Sequence, residues 1–276
     1  MNRNTVEWMD TVTKLDASHA GAVIVAGSHG GEYAAYCAAR AQVRGAIFND
    51  AAVGKDGEGI HALGYFEALG VPAATTSYRS ARIGDGRDNY DNGVVSYLNE
   101  TARKLGCRVS QRTRDCAELM LAAPAFAYTV PPKEESRTVI RASSGHGVDV
   151  VVIDSLALLR PEDAESVMVA GSHGGVLPMD DRILLGGDAR ATLFCDAGFG
   201  KDEVAVSRIR RLDAHRKPGA AVAVETARIG NGMSVLEDGV LSFVNETASA
   251  LGARVGMTAR QYVELMQAAF ARPSTP

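Results

Sequence analysis

The sequence lacks the features that mark membrane, secreted or nucleic-acid-binding proteins. Its four cysteines form no Cys-x-x-Cys pair, and its net charge is only -4, without a basic cluster. No apolar run reaches the roughly 18 residues that a membrane helix requires, and the opening MNRNTVEWMDTV has no signal-peptide core. These absences predict a cytoplasmic protein with reduced thiols and with neither a nucleic acid nor a membrane as partner.

The sequence does contain an internal repeat. Four segments of the first half return in the second: VIVAGSHGG (23–31) as VMVAGSHGG (167–175), FNDAAVGKD (48–56) as FCDAGFGKD (194–202), SARIGDG (80–86) as TARIGNG (226–232), and VVSYLNETARKLG (94–106) as VLSFVNETASALG (240–252). Because the agreement covers most of the chain, we predict two similar units, residues 1–124 and 148–276, joined by a linker at 125–147.

Short β-branched runs alternate with helical spacings in each half. AVIVAG, GAIFND and VPAATTSY are predicted to be buried strands. The apolar residues from Val94 to Leu105 recur at helical spacing, and Gly106 follows them, which predicts one helix. This alternation predicts tandem three-layer α/β units with mainly parallel sheets, related by internal duplication. The segment before Val167 is short for a crossover, so we expect the first strand of each half at an edge or antiparallel.

Three polar loops follow predicted strand ends, and the carboxyl edge of a parallel sheet is where such folds bind ligands. Glycines allow backbone N–H groups to approach an anion, and basic side chains add positive charge. We therefore expect a small polar or anionic molecule in a cleft between the two repeats. The expected substrate-binding residues are Gly27, Gly30, Gly31, Asp50 and Arg82, with Gly171, Gly174, Gly175, Asp196 and Arg228.

Two familiar phosphate-binding signatures are not satisfied. A Walker A loop needs a glycine where this chain has Asn49 or Cys195, and Ser or Thr after the lysine, where it has Asp56 or Asp202. The dinucleotide fingerprint lacks its third glycine. No nucleotide cofactor is therefore expected.

Serine is the first candidate nucleophile. Ala26-x-Ser28-x-Gly30 resembles the nucleophile elbow of the α/β-hydrolases, with alanine in place of the first glycine. A lysine would accept the serine proton, the GSHGG amides would stabilise the oxyanion, and an arginine would orient the substrate. The expected catalytic residues are Ser28, Ser172, Lys55, Lys201, His29 and His173.

The repeated serine, lysine and arginine are similar to those of the ring-opening cyclic amide hydrolases, which have three repeats and a different motif order. This likeness, an analogy rather than membership, is consistent with a hydrolase of an amide or ester-like bond that needs no cofactor. A small molecule is then the expected partner, and a homo-oligomer is compatible with the sequence.

Other interpretations of the same loops stay open. His29, His173, Asp50 and Asp196 could together hold a divalent metal ion in a metal-assisted lyase or hydrolase. A non-catalytic anion-binding protein would need the glycine loops and arginines but no base. Glycines and aspartates also close turns, which would give these residues a purely structural role.

Overall fold

The computed structural model describes residues 4–142, 147–178 and 189–271, which form two compact units. The first unit contains the chain up to Glu134 together with the later segment Gly200–Asp202. The second contains most of the remaining residues. Both units consist of a mostly parallel sheet interleaved with helices, so the predicted two-unit α/β fold is confirmed. None of the helices in the described ranges is long and apolar enough to cross a membrane.

The sheet of the first unit has five strands arranged in chain order, of which the first four are parallel and the fifth is antiparallel. The strands are β1 (Val6–Met9), β2 (Val23–His29), β3 (Gly45–Asn49), β4 (Ala73–Thr76) and β5 (Val95–Leu98). The helices are α1 (Glu32–Arg40), α2 (Ala62–Ala68), α3 (Gly86–Asn92), α4 (Glu100–Lys104) and α5 (Thr113–Met120). As expected from its short connection, β1 lies at the edge of the sheet, although it runs parallel to β2.

The strands of this sheet are buried because an apolar cluster covers each face. Ile24 and Phe48 pack with Phe66 on the face covered by α1 and α2. Val25 and Ile47 belong to the cluster on the other face, which also includes residues of α5. Burial on both faces explains why the central strands are continuous apolar runs rather than alternating ones.

The second unit repeats this plan with one additional strand. Its sheet has the order β11, β10, β9, β8, β7, β6, where β6 (Arg137–Ile140) runs antiparallel to β7 (Val150–Ile153). β7, the counterpart of β1, lies inside the sheet and pairs in parallel with the strand that follows it, so the expectation of an edge or antiparallel position is wrong for this half. The other strands are β8 (Val167–His173), β9 (Ala191–Cys195), β10 (Gly219–Val222) and β11 (Leu241–Val244). The helices are α6 (Ser207–Leu212), α7 (Gly232–Asp238), α8 (Glu246–Ala250) and α9 (Ala259–Phe270). The predicted linker thus contains a strand, and its residues 143–146 lie outside the described ranges.

The prediction of a single helix from Val94 to Leu105 is wrong. The segment forms β5 and then, after Asn99, the short helix α4. The Asn99 side chain accepts hydrogen bonds from the N–H groups of Ala102 at 2.9 Å and Ala73 at 3.0 Å, and donates to Val71 O at 2.9 Å. One asparagine therefore begins the helix and fixes the preceding strand to β4.

Candidate functional site

The three motif loops meet at the carboxyl edge of the sheet within each unit. In the first unit the N–H of Gly84 donates to Gly27 O at 2.8 Å, and the N–H of Gly30 donates to Asn49 O at 3.0 Å. The equivalent bonds of the second unit are Gly230 N–H to Gly171 O at 2.8 Å and Gly174 N–H to Cys195 O at 3.3 Å. The repeat therefore preserves the loop contacts as well as the strands.

A bulge at the end of β2 creates the space for this meeting. Val25 lies opposite Ile47 but His29 lies opposite Asn49, so β2 has two more residues than β3 over this stretch. A Cβ atom on Gly27 would lie 2.5 Å from the backbone nitrogen of Asp85. Only glycine at this position allows the third loop to approach the strand so closely.

The two candidate serines tie each strand end to the preceding crossover. Ser28 Oγ accepts a hydrogen bond from the N–H of Val12 at 3.1 Å, and Ser172 Oγ accepts one from Leu156 at 3.1 Å. Within residues 4–142, 147–178 and 189–271, this amide is the one hydrogen-bond partner of the Ser28 hydroxyl. In those described ranges no lysine is hydrogen-bonded to Ser28 Oγ, and nucleophilic attack by either serine stays a prediction.

One hydrogen bond fixes the tautomer of His29. Its Nδ1 accepts a hydrogen bond from the N–H of Gly31 at 3.1 Å. A backbone N–H can only donate, so Nδ1 carries no proton and the neutral ring holds its proton at Nε2. Burial lowers the pKa of His29 to about 4, which keeps the ring neutral near pH 7. His173 makes the same bond with Gly175 at 3.1 Å.

Gly31 also determines how the imidazole is packed. A Cβ atom at this position would lie 2.7 Å from Nδ1 and from Cε1 of His29, so a larger residue would displace the ring. The two glycines that end GSHGG therefore have separate duties. Gly30 lies against Gly59 O, and Gly31 makes room for the imidazole.

A carboxylate approaches the same position beside Gly31. Glu58 Oε1 would lie 3.3 Å from a Cβ on Gly31 and accepts a long 3.4 Å hydrogen bond from the N–H of Glu32. Glu58 Oε2 lies 3.1 Å from His61 Nδ1. Sequence reasoning missed this pair because it searched for residues shared by both repeats, and Val204 and Ser207 occupy the equivalent positions.

The loop after β3 has an unusual backbone. Ala51, Ala52 and Val53 have φ angles of 45°, 60° and 67°, a conformation that costs non-glycine residues roughly 1–2 kcal/mol each. Ala197 and Phe199 repeat it with φ angles of 46° and 64°. Strain of this kind persists only when the surroundings hold it in place, and it concentrates at functional sites.

A buried aspartate holds this strained loop. Asp50 is 3% exposed, and its Oδ1 accepts hydrogen bonds from the N–H groups of Ala52 at 3.2 Å and Tyr78 at 2.9 Å. Burial raises its pKa, although a hydrogen bond with Ser96 and the two amides counteract the rise. Asp196 has the same surroundings: Gly198 N–H at 2.9 Å, Val224 N–H at 3.0 Å, and Ser242. Both carboxyl groups therefore stabilise the nearby backbone by accepting hydrogen bonds from its N–H groups.

The predicted lysine and arginine belong to a network of alternating charges in the first unit. Lys201 Nζ donates to both oxygens of Asp88, at 3.0 and 3.1 Å. Arg82 lies 3.4 Å from Asp88 Oδ1 and also pairs with Asp202. Burial alone would raise the Asp88 pKa, but the Arg82 N–H, Lys201 and Asn92 outweigh it, and the pKa lies below its usual range. Lys201 is thus engaged in an ion pair with Asp88.

Lys55 and Arg228 occupy the loop positions that correspond to Lys201 and Arg82 in the other repeat. Lys55 follows Gly54 at the end of the strained loop, and the N–H of Arg228 donates to Ser234 Oγ at 3.0 Å. Among the described residues, no group of three or more His, Cys, Asp or Glu side chains is placed to hold a metal ion. The metal alternative stays a prediction.

A groove of about 670 Å³ lies elsewhere in the second unit. Its lining includes residues that immediately precede β7 and β8, at the amino edge of the sheet and away from the GSHGG loop. Its arginines are paired with carboxylates, as in the ion pairs Arg137–Asp163 and Arg141–Asp149. The groove therefore shares no residue with the predicted site.

No protein-family model, curated protein or solved structure matches this chain. Any assignment of function therefore depends on the hydrogen bonds, burial and charges of the motif loops.

Proposed function

We propose that this chain is a hydrolase of a small carbonyl compound with an amide or ester-like bond, bound at the carboxyl edge of the first unit. The observation that carries the proposal is the hydrogen bond from Gly31 N–H to His29 Nδ1. This bond leaves a neutral imidazole whose Nε2–H is a donor. A donor aimed at the carbonyl oxygen accelerates the addition of water, because its hydrogen bond strengthens as negative charge develops on that oxygen. The C–N or C–O bond of the substrate then breaks, and the leaving nitrogen or oxygen takes a proton from the added water.

Two of the GSHGG amides that were expected to stabilise the oxyanion have other partners. The N–H of Gly30 donates to Asn49 O, and the N–H of Gly31 donates to His29 Nδ1. The imidazole is then the better donor, because in the described part of the chain Nε2 has no hydrogen-bond partner. With a pKa of about 4, it keeps this role without a change of charge across the pH range of most cells.

The role of His29 can be measured in the unmodified protein. Long-range ¹⁵N–¹H NMR spectra should show His29 protonated at Nε2 alone above about pH 5, with its Nε2 resonance shifting when a carbonyl compound binds. A His29 ring that is protonated at Nδ1, or cationic at pH 7, would overturn the proposal.

A substitution pair tests the chemistry directly. His29→Phe keeps an aromatic ring but removes the donor, and should abolish turnover across a panel of cyclic amides and small esters. His19→Phe is the matched control, since His19 bonds Asp16 in the crossover before β2. Affinity without product in the wild-type protein would instead favour a non-catalytic binding protein.

A further inference from the structure

We propose that Glu58 makes the first unit selective for amides over esters and ketones. The proposal rests on the proposed function, because it requires a carbonyl group held by His29. The two side chains approach the same point beside Gly31: a Cβ there would be 2.7 Å from Nδ1 and Cε1 of His29 and 3.3 Å from Glu58 Oε1. The His29 ring, whose Nε2–H is the donor, and the carboxylate of Glu58, an acceptor, therefore line the same space beside Gly31.

Glu58 is held in place yet keeps accepting capacity. Oε1 accepts a hydrogen bond from the Glu32 N–H, and Oε2 lies 3.1 Å from His61 Nδ1. A carboxylate can accept about four hydrogen bonds, so each oxygen can accept a further one. Its side chain is 17% exposed, so solvent or a ligand reaches it. His61 Nε2 lies 3.1 Å from Asp56 O, so His61 stands between Glu58 and the loop after β3.

This donor–acceptor pair matches the two polar groups of a cis amide. In a lactam or cyclic imide the C=O can accept from His29 while the adjacent N–H donates to Glu58. A lactone or ester presents an oxygen in place of the N–H, which cannot donate and is repelled by the carboxylate. Sites that bond a substrate N–H discriminate strongly against the analogue without it, because the acceptor in the site then loses a hydrogen bond.

The second repeat shows the same frame without the acceptor. His173 and Gly175 repeat the histidine–glycine bond at 3.1 Å, but Val204 stands where the first repeat has Glu58. The amide equivalent to that of Glu32, the N–H of Val176, donates instead to the Ser207 hydroxyl at 3.1 Å. The equivalent loop of the second repeat thus accommodates valine at this position, and Glu58→Val is the natural test in the first repeat.

The probes are δ-valerolactam and cyclohexanone, six-membered rings that differ in the N–H. Binding is followed through the His29 Nε2–H resonance. The wild-type protein should bind the lactam at least tenfold more tightly than the ketone. In Glu58→Val the lactam affinity should fall to that of the ketone, and the ketone affinity should not change. Glu58→Gln, which keeps the size and one acceptor, should retain part of the preference.

The outcomes separate this proposal from the proposed function. If neither compound perturbs His29 in the wild-type protein, the carbonyl site itself is disproved. Equal affinity for both compounds in the wild type, or an undiminished lactam preference in Glu58→Val, would overturn the role of Glu58 alone. Should Glu58→Val not fold, as judged by its circular dichroism, Glu58→Gln decides: an unchanged lactam preference contradicts the proposal, and a reduced one supports it.

Discussion

The two copies of the GSHGG loop use the same hydrogen bonds but have different neighbours. His29 and His173 each accept an N–H from the second glycine that follows them, at 3.1 Å in both. Beside the first copy stands the carboxylate of Glu58, whereas Val204 occupies that position in the second. Duplication has therefore preserved the frame that sets the histidine tautomer, while the residues able to choose a ligand have diverged.

The third loop shows divergence of another kind. In the first unit the N–H of Arg82 donates to the carboxylate of Asp88, which also accepts a 2.8 Å hydrogen bond from Asn92. In the second unit the acceptor is the hydroxyl of Ser234, which donates to Asp238 at 2.8 Å. The carboxylate has moved one helical turn, from position i to i+4, without loss of the bond to the loop. Here the difference is compensated.

Substitution should destabilise the two units most unequally at Gly59, whose counterpart in the second unit is Ala205. A Cβ on Gly59 would lie 2.1 Å from Asp50 O, so Gly59→Ala requires a backbone shift. We expect it to lower the free energy of unfolding by more than about 4 kcal/mol, against about 0.5–1 kcal/mol for Ala205→Gly. Urea denaturation of both variants measures this. Similar small losses would show that the two loops have the same backbone path.

Asp50 should be next in effect. Asp50→Ala leaves the half-buried N–H groups of Ala52 and Tyr78 without their acceptor, which should cost about 2–4 kcal/mol. Asp196→Ala should cost about the same, because its partners are equivalent. A large difference between the two would mean that only one repeat carries a strained loop that needs bracing.

Substitution by asparagine isolates the charge of the same group. Burial raises the pKa of Asp50, so its protonated form is the stabilising one, and its contribution is lost as pH rises from about 4 through the raised pKa. Asp50→Asn keeps the acceptor without the charge. The free energy of unfolding of Asp50→Asn should therefore fall less than that of the wild type between pH 4 and 7. A steeper fall would contradict the raised pKa.

A double-mutant cycle tests the compensated pair. Asp88→Ser and Asn92→Asp should each destabilise the protein by about 1–2 kcal/mol, and the double variant should recover at least half of the summed loss. It copies the arrangement of Ser234 and Asp238 into the first unit. Additive losses would mean that the two arrangements are not interchangeable, which the additional bond from Lys201 to Asp88 could cause.

The sheets and the meeting of the loops were predictable because they depend on local patterns. Buried strands such as β3 are continuous apolar runs, and the carboxyl ends of parallel strands share one edge. The boundary between β5 and α4 was not predictable, because Val95 and Leu98 fit a strand as well as a helix. Asn99 sets the boundary through hydrogen bonds to Val71 and Ala73, which lie more than twenty residues earlier in the chain.

The candidate site was predictable in its histidines and not in its carboxylate. His29 stands in a repeated motif, whereas Glu58 has no counterpart in the second repeat and approaches Gly31 only after the chain has folded. The strained loop had no local signal either, since a valine at φ 67° contradicts the usual preference of β-branched residues. A search for repeated residues finds the common frame and overlooks what makes the two sites differ.

The smallest predicted effect concerns that strain. Ala52 has a φ of 60°, and its counterpart Gly198 has a φ of 70°. Ala52→Gly should stabilise the first unit by up to about 1 kcal/mol, since glycine adopts this conformation without the clash of a Cβ, although part of the gain is offset by the greater freedom of glycine in the unfolded chain. Gly198→Ala should destabilise the second by a similar amount. If Ala52→Gly raises the free energy of unfolding and Gly198→Ala lowers it, the left-handed backbone conformation, rather than side-chain packing, determines both changes in stability. If both variants instead lost stability, the methyl group of Ala52 would have to contribute through contacts, and the strain could not be the property that the two repeats share.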